Sequence, residues 1–511
     1  MSPPAAGGGG RTLLASRSEY LQFGAGCRTA IIGERINPTG KKAFAAELRE
    51  GQVGYIRREA LEQVAAGATL LDVNVGTPGI DEAAAMERAV FCVTGTVQVP
   101  LVLDSSSPEA LERGLKSADG KVLVNSVSGE EKSLARILPL VKKYGAAVIG
   151  LALDENGIPA TAEERLAVAA RIKARAEQVG IPPENIVIDA LTLTVSAEPK
   201  QAAETLRAIR LIKEQLGLNT VLGVSNISFG LPARPLISST FFTMAQAAGL
   251  DAAIINPKEE PMMASFRSAM VLLGLDENAA GYIEAYRSLA GAAPAAAAPE
   301  PADIRGRLAG AVIAGDAEGV VALVEAALGE GLTPMAVSNE GLLPGLEEVG
   351  RRFEKNQVFL PQVMRSAEAM QRAFTRLKQE MQGAGIEPAG RIMMATVEGD
   401  IHDIGKNIVC TLLENHGFEV FDLGKNVPAG KIVAEAQRLA VDAVGLSALM
   451  TTTMSEMENV VGKLREAGVR TFTMVGGAVV TQDYADRIGA DLYAKDAMEA
   501  VARIKALLAR G

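Results

Sequence analysis

The chain has 511 residues, 48% of them hydrophobic and 22% charged, with a formal net charge of −10. That length exceeds one hydrophobic core and predicts roughly two to four domains, while the negative balance argues against nucleic acid as a general partner. No apolar run is long enough to cross a bilayer, and Cys27, Cys92 and Cys410 are too scattered for a disulfide framework or a thiolate zinc site, which fits a reducing cytoplasm.

The Gly-rich start, MSPPAAGGGG, lacks the basic and apolar regions of a signal peptide, so residues 1–20 read as a flexible tail. From Thr29 to about residue 257 a unit recurs: a short apolar strand, a polar residue at its end, then an amphipathic helix. The predicted strands are Thr29–Glu34, Leu70–Val75, Leu101–Asp104, Val122–Asn125, Ala147–Leu153, Ile186–Ala190, Val221–Val224 and Ala252–Ile255, with helical spacing between them, as in Thr161–Val179 and Lys200–Leu216. Eight such units predict a (β/α)8 TIM barrel over residues 21–287. An open doubly wound sheet is the alternative, but no GxGxxG follows the first strand.

Polar residues close every strand. Glu34 and Asn37 follow the first, Asp72 and Asn74 end the second, Asp104 the third and Asn125 the fourth. Asp154 follows the fifth, Asp189 ends the sixth, Ser225 and Asn226 follow the seventh and Asn256 the eighth. Singly, each is an ordinary helix cap or turn former. In a barrel they converge on the C-terminal mouth, where barrel active sites lie. Carboxylates and amides without a histidine, lysine or cysteine partner describe a hydrogen-bonding pocket for a polar heterocycle. The chemistry is then expected to rest on a group the protein brings in.

Residues 288–301 form an Ala/Pro spacer, which would span roughly 40 Å if extended and would allow whole-domain movement. Residues 302–382 carry four helical stretches, Ala302–Ala314, Asp316–Leu328, Thr333–Glu354 and Leu360–Met381, and no strand signal, which predicts a four-helix bundle. At Val358-Phe-Leu-Pro-Gln-Val363 an aromatic and a leucine precede a proline; taken alone, this is a hydrophobic staple with Pro near the first helical position. After a short break at 383–390, strands Ile392–Val397, Glu419–Asp422, Ala443–Ser447, Thr471–Val475 and Asp491–Ala494 alternate with helices over 391–511. That is a flavodoxin-like (Rossmann-type) parallel α/β plan, whose ligands lie beyond the strand C-termini at the switch point. Three loops belong there: Glu398–Gly405, Ser447–Thr453 and Gly476–Thr481. The first holds His402, one of only two histidines in the chain, between Asp400 and Gly405. A neutral imidazole is a good transition-metal ligand, and a nearby carboxylate can fix its tautomer. For that short pattern by itself, a solvated loop histidine is the simpler reading.

Asp400-Ile-His402-Asp403-Ile-Gly405, with Ser447-Ala-Leu449 and Gly476-Gly477 on the companion loops, resembles the cobalamin-binding signature of corrinoid methyltransferases and mutases. The helical segment with Phe359-Leu-Pro-Gln-Val363 is similar to the cap that precedes the cobalamin module in methyl-transferring members, which favours methyl transfer over radical rearrangement. Ile32-Gly-Glu-Arg-Ile-Asn37, Leu71-Asp-Val-Asn74, Leu103-Asp104-Ser, Val124-Asn125-Ser, Ile188-Asp189, Gly223-Val-Ser-Asn226 and Arg234-Pro-Leu resemble the pterin-binding methyltetrahydrofolate methyltransferases. Barrel, cap and cobalamin module, in that order, resemble the cobalamin-dependent methionine synthase family over nearly the whole chain.

The resemblance implies cobalamin (cob(I)alamin and methylcobalamin, with its cobalt) as cofactor and 5-methyltetrahydrofolate as methyl donor. Asp104, Asn125 and Asp189 would hold the pterin ring, with Glu34, Asn37, Asp72, Asn74, Ser225 and Arg234 around it. Asn226 would hydrogen-bond near N5, where an amide can donate or accept. His402 would bind cobalt, Asp400 would hold His402, and Thr453, where the family often has serine, would hold Asp400. Gly399, Asp403, Gly405, Ser447, Leu449, Thr451, Gly476 and Gly477 would line the cofactor, and Phe359 and Leu360 would cover it. The family's homocysteine barrel with cysteine-ligated zinc and its activation domain are not found in this sequence. The chain therefore reads as an excised or naturally short folate–cap–cobalamin unit, expected to be a monomer. It would depend on a homocysteine-binding zinc domain, in the full enzyme or in trans, and on a reductive activation partner. The alternatives are a methyltetrahydrofolate:corrinoid methyltransferase serving a separate acceptor protein, and a B12-dependent sensor. The folate-type barrel and the absence of a basic face speak against the sensor.

Overall fold

The computed structural model describes residues 10–290, 303–355, 357–381, 389–477 and 479–508. Most of the predicted spacer at 288–301, most of the break at 383–390 and the first nine residues of the expected tail lie outside the described residues. The chain divides into two compact units, Met1–Tyr282 and Ile283–Gly511.

The first unit begins with an antiparallel hairpin, β1 (Thr12–Ala15) and β2 (Tyr20–Phe23). Eight parallel strands follow: β3 (Ala30–Ile36), β4 (Leu70–Asn74), β5 (Leu101–Asp104), β6 (Leu123–Ser128), β7 (Ala147–Leu151), β8 (Ile186–Asp189), β9 (Asn219–Gly223) and β10 (Ala252–Ile255). They close into a barrel in chain order, with β10 pairing back onto β3. The strands read as nearly unbroken apolar runs because both faces are buried, one toward the barrel axis and one under the helices. Ile31, Leu71, Leu103 and Val148 pack outward against the helices, whereas Ala30, Ile32, Leu70, Val102 and Leu123 fill the interior.

The hairpin corrects the expectation of a flexible tail through residue 20. Leu14 and Phe23 are fully buried in the interior cluster of the barrel. Thr12 Oγ1 donates to the Glu184 carbonyl at 2.7 Å, and Asn219 Nδ2 donates to Thr12 Oγ1 at 2.9 Å. These partners precede β8 and open β9, so the hairpin plugs the N-terminal end of the barrel and leaves the C-terminal end as the open one. Two four-residue strands beside a glycine run carry too little periodicity to be seen in sequence.

The second unit starts with a helical layer: Ile304–Ala314, Gly319–Gly329, Leu343–Glu354 and Leu360–Met381. The predicted helix Thr333–Glu354 is broken into a turn at Pro334–Ala336, a wide π turn at Val337–Leu342 and the helix from Leu343. Pro344 lacks the N–H an α-helix needs and crowds the preceding turn, so the backbone widens there. Strands β11 (Arg391–Thr396), β12 (Glu419–Asp422), β13 (Ala443–Ser447), β14 (Phe472–Gly476) and β15 (Leu492–Ala494) form a parallel sheet in the order β12-β11-β13-β14-β15. Alternation along β11 sorts its side chains. Ile392 and Met394 join the core shared with the helical layer, and Met393 and Ala395 face the opposite layer. The order reverses at β11 and β13, which puts the loops after these two strands at the switch point.

Candidate functional site

At the open end of the barrel the polar strand ends meet as predicted. Asn125 Nδ2 donates to Asp72 Oδ1 at 3.2 Å, and Asn74 Nδ2 donates to Asp104 Oδ2 at 2.9 Å. The register slips between Asn125 and Val127, the kind of bulge that re-aims a side chain beside a site. Asp189 is buried, and its Oδ1 accepts from the Leu191 N–H at 2.8 Å.

These carboxyls have few donors for their burial. Burial raises Asp72 far above the ordinary range, and the charge of Asp104 adds to it. Burial likewise raises Asp104 against the Asn74 amide, and raises Glu34. Asp189 is pushed up to about 7 by burial, opposed by the Leu191 N–H and the Arg165 guanidinium. Arg35 Nε, Thr77 Oγ1 and Thr192 Oγ1, on β3 or on the loops after β4 and β8, are buried without a partner. A buried polar group without a partner costs roughly 1–3 kcal/mol. A flat heterocycle edged with N–H donors and carbonyl acceptors would relieve these groups, and a pterin is one.

Other predicted residues are engaged in shaping the rim. Asn37 Oδ1 accepts from the Thr39 N–H at 3.0 Å, an ordinary Asx turn. Arg234 donates to the Ser225 carbonyl at 2.9 Å and to Ser228 Oγ at 3.1 Å, and its guanidinium lies 4.8 Å from the centre of the Phe229 ring. It braces the 3-10 turn Val224–Ser228, on which Asn226 stands exposed. Asp154 is ion-paired with Arg171 at 2.8 Å, and Asn256 accepts from the Lys258 N–H at 3.2 Å, so both are structural. Sequence reasoning missed Arg165. Fully buried, it donates to the Ala190 and Leu191 carbonyls at 3.0 and 3.1 Å and so holds the loop after Asp189. Its place in an ordinary amphipathic helix offered no signal.

In the second unit Asp400 is fully buried at the switch point. Its Oδ1 meets His402 Nδ1 at 2.9 Å and the His402 N–H at 3.0 Å. Its Oδ2 accepts from the N–H groups of Leu449 and Met450 at 2.7 and 3.2 Å and from Thr453 Oγ1 at 2.8 Å. Burial would raise this carboxyl, but the His402 and Leu449 amides, the imidazole and the Thr453 hydroxyl hold it well below the usual carboxylate range. With Nδ1 committed to the carboxylate, Nε2 is the nitrogen left for a metal.

Beside His402 lies a cavity of about 630 Å³ with mostly apolar walls, among them Met394, Val409, Leu446 and Met474. Leu360, Asp403, Gly405, Ser447, Leu449, Gly476 and Gly477 line it as well. Gly477 has φ of +133°, and a Cβ there would fall 1.9 Å from the Ala448 carbonyl oxygen, so only glycine allows this close approach of the two loops. The fit to a corrinoid rests on that cradle, the apolar walls and one imidazole beside the cavity. Gly399, at φ +79°, shapes the turn by donating to Asn426 Oδ1 at 2.7 Å, and Thr451 is exposed outside the lining. Phe359 is also absent from the lining. Its amide donates to Gln362 Oε1 at 2.9 Å, and Phe353 and Val363 line the cavity instead. Lys406, fully buried and paired with Asp422 at 2.5 Å, is a further lining residue the sequence did not reveal.

Residues 33–256 match the pterin binding enzyme family, and residues 390–502 and 304–378 match B12 binding domains. The chain is 32% identical to methionine synthase from Mycobacterium tuberculosis over 94% of its own length and 43% of that protein. With the Mycobacterium leprae methionine synthase the identity is 33%, over 92% of this chain and 42% of the other. The solved methanol:cobalamin methyltransferase complex MtaBC from Methanosarcina barkeri is 34% identical over 41% of this chain and 82% of that one, with a TM-score of 0.39. The matched domains join a pterin-binding barrel to a B12-binding domain in one chain. The chain thus carries a pterin-binding domain followed by B12-binding domains, and it spans less than half the length of the two mycobacterial methionine synthases it is similar to. Among the described residues no helix is long and apolar enough to cross a membrane.

Proposed function

We propose that this chain moves the methyl group of 5-methyltetrahydrofolate from its barrel to cobalamin on its second unit, as the folate–cap–cobalamin portion of a methionine synthase. Homocysteine on a zinc-bearing domain, in the full enzyme or in trans, is the proposed final acceptor. The observation that carries this reading is the His402–Asp400–Thr453 hydrogen-bonded chain beside an apolar cavity, on the same polypeptide as a barrel mouth of buried carboxyls short of donors. When bound, cobalamin would supply the cobalt nucleophile that takes the methyl group.

The chain's own residues position and manage protons. Asp189, Asp104, Asn125 and Asp72 would accept from or donate to the pterin edge, and Asn226 would meet N5 in either protonation state. His402 would ligate cobalt through Nε2, with Asp400 fixing the ring and Thr453 completing the carboxylate's shell. Leu360 and Phe353 would shield the cofactor from the cap side.

The test is single-turnover transfer of labelled methyl from 5-methyltetrahydrofolate to reduced cobalamin by the purified chain. About one equivalent per chain is expected, and no transfer would sink the reading. Adding homocysteine with and without a zinc-binding homocysteine domain separates this assignment from delivery to some other acceptor protein.

A further inference from the structure

Arg165, on the helix Ala162–Val179, is fully buried, and a guanidinium stays charged even there. Among the described residues its hydrogen-bond partners are all neutral. They are the carbonyls of Pro159, Ala190 and Leu191 at 3.0, 3.0 and 3.1 Å, Thr205 Oγ1 at 2.9 Å, and Gln201 Oε1. A buried cation with no carboxylate against it is costly unless a nearby negative charge offsets it. Two such charges reach it: Glu204, already engaged in accepting from the Ala162 N–H at 2.8 Å, and Asp189. A single residue joins Arg165 to Asp189. Leu191 has φ of +65°, a backbone conformation that a leucine keeps only where its surroundings hold it. Arg165 Nη1 and Thr205 Oγ1 both donate to its carbonyl, at 3.1 and 2.9 Å, and its N–H donates to Asp189 Oδ1 at 2.8 Å. Strands β7 and β9, which flank β8, contribute no ionisable side chain. Across the mouth Asp72 feels Asp104 and Glu34, and Asp104 feels Glu82, whereas the charge acting on Asp189 is that of Arg165.

We propose that Arg165 is a positioning residue for the pterin: through Leu191 it aims the Asp189 carboxyl, and its charge keeps that carboxyl ready to accept from the N–H edge of the ring. The inference rests on the assignment of the barrel mouth to the pterin. It adds what the contacts at the mouth leave open, namely which group sets the state in which Asp189 meets its ligand. An ionised carboxyl accepts only, whereas a protonated one spends one oxygen as a donor and faces a ring N–H poorly. Burial favours the protonated form, and the guanidinium behind Leu191 opposes it. The two roles are separable, because the fork of the guanidinium fixes the loop and its charge acts through the field.

The test is the dissociation constant of 5-methyltetrahydrofolate on the full chain without cobalamin, measured by equilibrium dialysis between pH 6 and pH 9. In the unaltered chain affinity should rise with pH as Asp189 ionises, with a midpoint at about 7. Arg165→Gln removes the positive charge, so the carboxyl keeps its proton to higher pH and the midpoint should move up by about one unit. At pH 7 the ionised fraction then falls from about one half to about one tenth, a roughly fivefold loss of affinity. Arg165→Lys keeps the charge but loses the fork. It should weaken binding without moving the midpoint, as should Thr205→Val, and these two serve if Arg165→Gln fails to fold. In an Asp189→Asn chain, adding Arg165→Gln should shift nothing further, which separates Asp189 from Asp72 and Asp104. A midpoint that stays in place in Arg165→Gln, or that moves as far in Arg165→Lys or Thr205→Val, overturns the proposal while leaving the pterin assignment intact. Absence of binding by the unaltered chain at every pH overturns both.

Discussion

Asp189 in the barrel and Asp400 in the second unit are both buried aspartates at the C-terminal end of a parallel strand or just after it. Their carboxyls move in opposite directions. Asp189 has one backbone donor and is pushed up to about 7, whereas Asp400 collects three amides, an imidazole and a hydroxyl and is held low. Burial alone therefore does not set the charge of such a group; the number of donors aimed at it does. A carboxyl whose shell is complete orients a neighbour, here His402. One whose shell is incomplete waits for a ligand's N–H groups, which is how the barrel mouth would discriminate a pterin.

The sharpest way to break this contrast is to make the same change on both sides. Asp400→Asn places an amide NH2 against donors and should destabilise the second unit by about 3–5 kcal/mol, as for a broken buried charge network, measured by denaturant unfolding. Asp189→Asn should do the reverse. Its folded pKa, about 7, lies above the ordinary value of 3.8. The cost of burying the charge is therefore absent below about pH 4 and is fully present above about pH 7. The substitution should leave stability near pH 4 unchanged and raise it at pH 8 by at most about 4 kcal/mol, while weakening folate binding. Two destabilised variants at pH 8 would overturn the contrast.

Asn226→Ala should lower folate-dependent methyl transfer by about a hundredfold, the size of a lost donor at a reacting centre, with cobalamin affinity unchanged. Equal losses would remove its assigned role. Thr453→Val takes one donor from Asp400 and should cost about 1–2 kcal/mol, whereas Thr453→Ser should restore it. The smallest effect concerns the cap. Phe353→Ala should speed photolysis of the methylated cofactor more than Phe359→Ala does, because Phe353 lines the cavity and Phe359 does not; the opposite order would favour the sequence-based choice.

Local periodicity made most of the architecture readable. The eight barrel strands and the five of the second sheet stand within a few residues of their predicted bounds, because each is a short apolar run closed by a turn residue. The DIHDIG stretch was readable for a similar reason, since its members are adjacent in sequence and share one loop. The Asp400 bonds to Leu449, Met450 and Thr453 needed the switch point to bring together two loops some fifty positions apart. Arg165 beneath Asp189, Lys406 in the cavity wall and Phe353 in place of Phe359 were hidden because helical residues reveal a face but not what that face meets.

Sequence by itself determined the order of elements and the residue types at strand ends, since both follow from alternation, helical spacing and turn chemistry along the chain. Tertiary structure decided which buried carboxyls find donors, which glycine must be glycine, and that the first strands plug the barrel. Those outcomes depend on distances between segments far apart in the chain, and no local pattern encodes them.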